Sequence, residues 1–275
     1  MTPERILVQV LANIGRHREL FWQFLLRNVK TQHKGSCLGA FWLLANPLLM
    51  LGLYTFVFGV VFGGRFGVAP DETTLDYAFG VFLGLTILNL FSAALGSAPG
   101  IIVSQPNFVK KVVFPLEVLP LAHVGALAYN MLISLSLCLL GIIVLGDGLS
   151  WLVFWVPLFL APVLLFSIGV AWFLSAIGVF FRDIAHLTQF LGMVALYGSG
   201  VFYSSQTARD VAPEFWMILK WNPLVHVIEC LRGVMLWQHD PNLLHLCYIW
   251  VAGMLTFLFG AYVFQSLRPG FADTL

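Results

Sequence analysis

Six apolar runs fill most of this 275-residue chain, at 38–62, 77–103, 118–145, 152–181, 184–208 and 243–267, and none contains Asp, Glu, Lys or Arg. A run of about 18 or more apolar residues can cross a hydrocarbon core about 30 Å thick as a helix. With 60% of residues hydrophobic and only 10% charged, no soluble core could absorb these runs. In lipid, backbone polar groups must be satisfied internally, and a helix does this within one segment. The sequence therefore predicts an all-α membrane protein with six transmembrane helices.

Basic residues set the orientation. Arg5, Arg16, Arg18, Arg27, Lys30 and Lys34 precede the first run, and Lys110, Lys111, Arg182 and Arg268 fall on the same side of a six-span chain. The opposite loops hold only Arg65, Arg209, Lys220 and Arg232. Positive residues stay in the cytoplasm, so both termini are expected there. The first residues lack the continuous apolar stretch of a cleavable signal, which leaves the first span as the targeting signal.

Residues 1–275 read as a single membrane domain: 1–37 an interface helix, 38–267 the six-span bundle, 268–275 a cytoplasmic tail. Ile6, Leu7, Val10, Leu11 and Ile14 form a stripe at helical spacing, which Leu20, Phe21, Phe24 and Leu25 resume. Basic and amide residues fill the other face, as in an amphipathic helix lying on anionic headgroups. Pro47 predicts a kink in span one. Span two is expected to end near Pro99-Gly100, and Asp183 to cap span five.

Two connections carry more than a turn requires. Residues 104–115, SQPNFVKKVVFP, predict a short helix capped by Ser104, opened by Pro106 and stopped by Pro115. It presents Lys110 and Lys111 beside apolar residues. A docking helix for a soluble partner and a plain positive-inside turn both fit. Between spans five and six, 215–237 is apolar but broken by Lys220, Asn222-Pro223, His226, Glu229 and Arg232. It is too short and polar to cross twice, so re-entrant helices are expected, with Glu229 and Arg232 paired on one face. An external amphipathic lid is the other reading.

The chemistry of the spans is sparse. No internal repeat is evident, and no carboxylate pairs or Arg ladders suggest an ion-coupled pump. No P-loop occurs, so any ATP-driven work needs a separate ATPase. Cys37, Cys138, Cys230 and Cys247 show no metal spacing, and a Cys230–Cys247 bridge is the one disulfide that placement allows. No metal site and no nucleic-acid partner are expected. Gly198-Ser199-Gly200 with His245 or His226 raises an intramembrane serine protease as a remote alternative. Aromatics are abundant, with 25 Phe, 9 Trp and 7 Tyr. They could stack on sugar rings along a corridor, or serve only lipid contact and packing.

Four stretches carry a family resemblance: FLLRNVKTQHKGSCLGAFWLLANPL (24–48), NFVKKVVFPLEVLP (107–120), VFFRDI (179–184) and WNPLVHVIECLRG (221–233). In this order they resemble the membrane subunit of an ABC type-2 exporter, in the branch that exports O-antigen, capsular polysaccharide or teichoic acid. One departure is Gln32-His33, where relatives commonly carry Arg-Tyr. The resemblance implies a homodimeric permease with two ATP-binding subunits that hold ATP and Mg, and a lipid-linked glycan as cargo. A drug or lipid exporter of the same fold is the alternative. It further implies an ATPase-coupling set of Asn107, Phe108, Lys110, Lys111, Phe114 and Pro115. Trp42, Tyr54, Phe58, Phe82, Phe91, Tyr197, Phe202 and Tyr203 are candidates for the channel wall. Trp221, Asn222, Pro223, Glu229 and Arg232 are candidates for an external gate.

Overall fold

The computed structural model describes residues 15–32, 41–110, 114–146 and 148–275, all helix and connection without strands among them. The first stripe of the interface helix, Lys34, Cys37, Lys111 and Asp147 lie outside the described residues. Helix α1 (Arg18–Gln32) buries Phe24 and Leu25 and packs on α5. Helix α2 (Phe41–Tyr54) holds Pro47 and runs into a π-helical segment, Thr55–Val61. Helix α3 (Thr74–Val103) follows, then the short α4 (Pro106–Lys110), α5 (Val118–Leu145) and α6 (Val156–Phe180), which a 3₁₀ turn at Trp151–Trp155 leads into. Helix α7 (Ile184–Gly198) precedes three short helices: α8 (Ser205–Val211), α9 (Pro213–Leu219) and α10 (Pro223–Met235). Helix α11 (Leu243–Leu267), a 3₁₀ turn and α12 (Phe271–Thr274) end the chain.

Among the described residues, five helical stretches are long and apolar enough to cross a membrane: Phe41–Val61, Thr74–Val103, Val118–Leu145, Trp151–Phe180 and Leu243–Thr274. The run at 184–208 is not one continuous helix. Helix α7 spans 15 residues, about 22 Å at 1.5 Å per residue, and stops where Gly200 turns with φ of +71°. Ser204 then starts α8, its hydroxyl accepting from Thr207 N–H at 3.1 Å.

Helix α3 is the hub. It packs on α5, α6, α7 and α10, and residues from Tyr77 to Ile102 are buried along it. Thr73 and Asp76 form a reciprocal capping box at its start. Pro99 lies within this helix, which continues to Val103, so the expected stop at Pro99-Gly100 is displaced. Pro99 sits where α6 comes closest: a Cβ on Gly178 would lie 2.5 Å from the Pro99 carbonyl oxygen. Helices α6 and α11 also meet backbone to backbone through Gly169, Gly253 and Gly260. Small residues permit this approach where lipid supplies no hydrophobic drive between helices.

Two expected caps are corrected. Ser104 closes α3 and its hydroxyl donates back to Ile101 O at 3.1 Å, so Gln105 rather than Ser104 precedes α4. Asp183 stands at the start of α7 without a side-chain capping bond. Helices α2 and α7 differ from the hub by their openness. Leu48, Leu49 and Leu53 on α2, Phe56 on the π-helical segment after it, and Leu187, Phe190, Met193 and Tyr197 on α7, are exposed.

Candidate functional site

Residues of three regions drew functional expectations; the fold sets the coupling candidates apart, while the gate and channel candidates meet at the bend after α7. At the distal end, α8 and α9 follow the bend after α7, and α10 packs on α3. Asn222 joins α9 to α10: its Oδ1 accepts from Leu224 N–H at 3.0 Å, and its Nδ2 donates to Gly198 O at 2.8 Å. Pro223 occupies the first helical position, where a missing N–H costs nothing. Trp221 is exposed, and its carbonyl accepts from the Tyr248 hydroxyl of α11.

Arg232 is the anchor of this cap. It is only 2% exposed. Its guanidinium donates to Gly80 O at 2.9 Å, Gly200 O at 2.8 Å and Tyr203 O at 3.4 Å, and also to Val201 O. The same group lies 4.0 Å from the centroid of the Phe66 ring. One cation thus ties α10 to α3, to the bend after α7 and to the loop before α3. The expected Glu229–Arg232 ion pair is corrected: Glu229 instead accepts from the Ser205 hydroxyl. A guanidinium presents five donors in a rigid fork, so carbonyls that converge from two segments suit it better than one carboxylate.

The loop beneath is fixed by a residue that sequence reasoning passed over. Glu72 is buried and accepts from Phe66 N–H at 2.7 Å and Gly67 N–H at 2.8 Å. Gly67 has a φ of +69°, which a side chain would strain. The Ser204 hydroxyl donates to Phe66 O at 2.8 Å, joining this loop to α8. His226 and His245 also meet, with ring centroids 4.5 Å apart, and His226 Nε2 donates to Lys220 O at 2.8 Å. Their separation in sequence hid this contact.

At the opposite, terminal end, α4 rests on α1. Phe24, Phe108 and Phe114 form an aromatic triangle with centroid distances of 5.5, 5.3 and 4.9 Å. Phe114 and Pro115 are buried, Phe108 is half-buried, and Asn107 and Lys110 are exposed. Arg268 straps the tail to this loop, 3.2 Å from Glu117 and donating to Phe114 O at 3.1 Å. Trp172 Nε1 donates to Glu117 O at 3.0 Å. A cavity of about 250 Å³ opens here between Phe108, Val109, Phe114, Arg268 and Pro269. The signal for the strap was an acid two residues after Phe-Pro, with a single arginine left in the tail.

Of the eight aromatic channel candidates, five come together. Phe202 lies 4.6 Å from Phe58, 5.9 Å from Tyr54 and 6.4 Å from Tyr197. Tyr203 joins them by donating its hydroxyl to Tyr197 O at 2.6 Å. Tyr197 and Tyr203 also line an open apolar recess of about 670 Å³ with Val194, Val211 and Phe215. Trp42 stands apart and exposed, near the other end of α2. Phe82 and Phe91 are buried within the bundle, Phe91 stacked on Phe166 at 5.3 Å.

Among the described residues, no hydrolytic centre forms around Ser199. The Ser199 hydroxyl is buried and has no hydrogen-bond partner among the described residues, and neither histidine reaches it. Cys230 and Cys247 are both free thiols. Among the described residues, no cluster of His, Cys, Asp and Glu could hold a metal ion.

Comparison with known proteins gives a consistent result. The ABC-2 type transporter family model matches residues 19–236. A Myxococcus xanthus protein named O-antigen export system permease protein RfbA is 25% identical over 269 residues, covering 98% of this chain and 100% of the relative. A Klebsiella pneumoniae protein of the same name is 26% identical over 271 residues, covering 98% and 99%. The Escherichia coli polysialic acid transport protein KpsM is 22% identical over 247 residues, covering 88% and 90%.

Proposed function

The chain belongs to the ABC-2 type transporter family, and on that premise we propose that it is the permease subunit of an ATP-driven exporter of a cell-surface polysaccharide in a bacterial inner membrane. The observation that carries this reading is the match to permeases named for O-antigen export, which runs across 98% of this chain. The polysialic acid transport relative supports the same chemical class of cargo. That cargo would be a lipid-linked glycan such as O-antigen or capsule. The chain is a transport subunit and not an enzyme. ATP and Mg would act on two separate ATP-binding subunits, bound to two copies of this chain with their termini in the cytoplasm.

The geometry supports a division of labour. The exposed faces of α2 and α7 suit contact with a second copy, since α3 already fills the protomer's own core. The aromatic group of Tyr54, Phe58, Tyr197, Phe202 and Tyr203 lies on those helices and at the bend after α7, where a sugar chain between the copies would pass. Phe82 and Phe91 belong to packing in this reading. Asn107, Phe108, Lys110 and Lys111 would receive the push of the ATPase, backed by Phe114 and Pro115. Trp221, Asn222 and Pro223 would form the outer gate, with Glu229 and Arg232 as its internal struts.

The test is made in cells. Deleting the chain should remove surface polysaccharide and leave lipid-linked glycan in the cytoplasmic leaflet. Rescue should need this chain and its ATP-binding partner together. Unchanged surface polysaccharide, with loss of drug or lipid efflux instead, would overturn the cargo assignment.

A further inference from the structure

A cavity of about 290 Å³ lies between α1, the last turns of α3 and the side of α5. Water occupies about 30 Å³ per molecule in the liquid, so this space holds a far larger group. Its polar wall includes Arg27 and Asn28 from α1, Ser97 and Gln105 from the end of α3, and His123 from α5. No carboxylate lines it. Arg27 has no acidic partner among the described residues, and its guanidinium carbon lies over the Phe24 ring, 4.4 Å from the centroid. That contact positions the head group beside the cavity without using its N–H groups in an ion pair. The amides of Asn28 and Gln105 likewise make no protein hydrogen bond among the described residues.

The remaining wall is pre-arranged. Ser97 donates its hydroxyl proton to Ala93 O at 2.6 Å. Its oxygen can then only accept from His123, 2.8 Å away, so the proton of that contact sits on Nε2. A cation, two free amides and an absence of acids make a recess for an anion. A planar guanidinium favours tetrahedral oxyanions, which it can bind through two parallel bonds. Phe24, Ile101 and Leu119 line the same space, so its floor is apolar.

We propose that this cavity binds the phosphate group of an anionic membrane lipid. Helix α3 is long enough to cross a bilayer, and its last turn comes out at headgroup depth. Helix α1 lies there too, with its basic residues where anionic lipid concentrates. The apolar floor then faces the glycerol and the first carbons of the chains. This site stands on its own residues and on the membrane character of the chain, independent of which cargo is exported.

The test uses the full-length chain with its ATP-binding partner, released from nanodiscs of phosphatidylcholine containing a minority of phosphatidylglycerol. Native mass spectrometry counts the lipid retained. Arg27→Gln should lower retained phosphatidylglycerol about tenfold, as expected when one charge-assisted contact is lost. Gln105→Leu, on a different element, should lower it in the same direction, and phosphatidylcholine retention should not change. Arg18→Gln, on the same helix outside the cavity, should retain lipid as the parent does. An equal loss with Arg18→Gln would mean diffuse basic attraction and overturn the site, as would undiminished retention in both cavity variants. Displacement of phosphatidylglycerol by inorganic phosphate alone would overturn the lipid assignment in favour of a free phosphate.

Discussion

Each end of this molecule is held by one arginine, and the two are used in opposite ways. At the distal end, Arg232 is 2% exposed and bonds to carbonyl oxygens from two other segments. At the terminal end, the Arg268 side chain is 33% exposed and bonds to one carboxylate and one carbonyl. A buried cation on fixed carbonyls has no solvent to fall back on, so its cap moves as one body or not at all. Arg268 reaches water along a third of its side chain, so its end of the pair can be solvated as it moves, although the Glu117 carboxylate beside it is only 1% exposed. The distal end is therefore built as a rigid lid and the terminal end as a yielding joint. That difference suits a machine pushed from the terminal side.

The largest effect should come from Arg232→Lys. Lysine keeps the charge but has three donors on a point-like head, which cannot span carbonyls set for a fork. We expect a loss of about 3 kcal/mol, the scale for removing a buried charged hydrogen-bonding partner. It should be read as a lower unfolding temperature in detergent, with protease sensitivity first in 199–237. Unaltered stability would erase the contrast between the ends. Glu72→Gln should come next. The amide oxygen can take one of the two N–H groups, but the amide nitrogen meets the other as a second donor. One buried donor left without a partner costs about 2 kcal/mol, and the loss should fall at the distal end alone.

Arg268→Ala should cost about 1–2 kcal/mol: a third of the Arg268 side chain is already in solvent, but the Glu117 carboxylate it pairs with is only 1% exposed. High salt should reproduce part of this loss in the parent protein and none of the Arg232 effect, since buried groups are screened far less. A larger penalty for Arg268→Ala than for Arg232→Lys would reverse the assignment of lid and joint.

The hydrophobic periods reveal the bundle but not its fine divisions. Runs without charge at 77–103, 118–145, 152–181 and 243–267 correspond closely to long helices, because apolar length alone dictates a span. The run at 184–208 misled, because hydropathy does not register the positive φ of Gly200 that bends the chain after α7. Glu229 and Arg232 sit at helical spacing, and spacing alone favoured a pair. Tertiary contacts overrode it, since Gly80 and Val201 bring carbonyls that are remote in sequence. The Phe24–Phe108–Phe114 triangle was legible only in part. Phe108 and Phe114 were visible as a short motif, but nothing local tied them to α1. Phe82 and Phe91 look like any other aromatic in the sequence, and only burial separates them from Phe58 and Phe202.

The smallest stability effect, and the one that sharpens the comparison most, should be Phe108→Ala. Its ring is half-buried and touches Phe24 and Phe114 edge-on or tilted. Removing it should cost about 1 kcal/mol, the partial burial of the ring adding to its aromatic contacts. The helix α4 is only five residues long and has few other ties to the bundle. Phe108 is thus a main element by which force on α4 reaches α1 and the Arg268 strap. The variant should fold, insert and assemble with its ATP-binding partner, and ATP hydrolysis should continue while surface polysaccharide per folded transporter falls severalfold. A yielding joint that transmits force should show this separation of hydrolysis from export. If Phe108→Ala exports as the parent does at equal abundance, α4 is a simple turn, and the push must enter through another part of the terminal end.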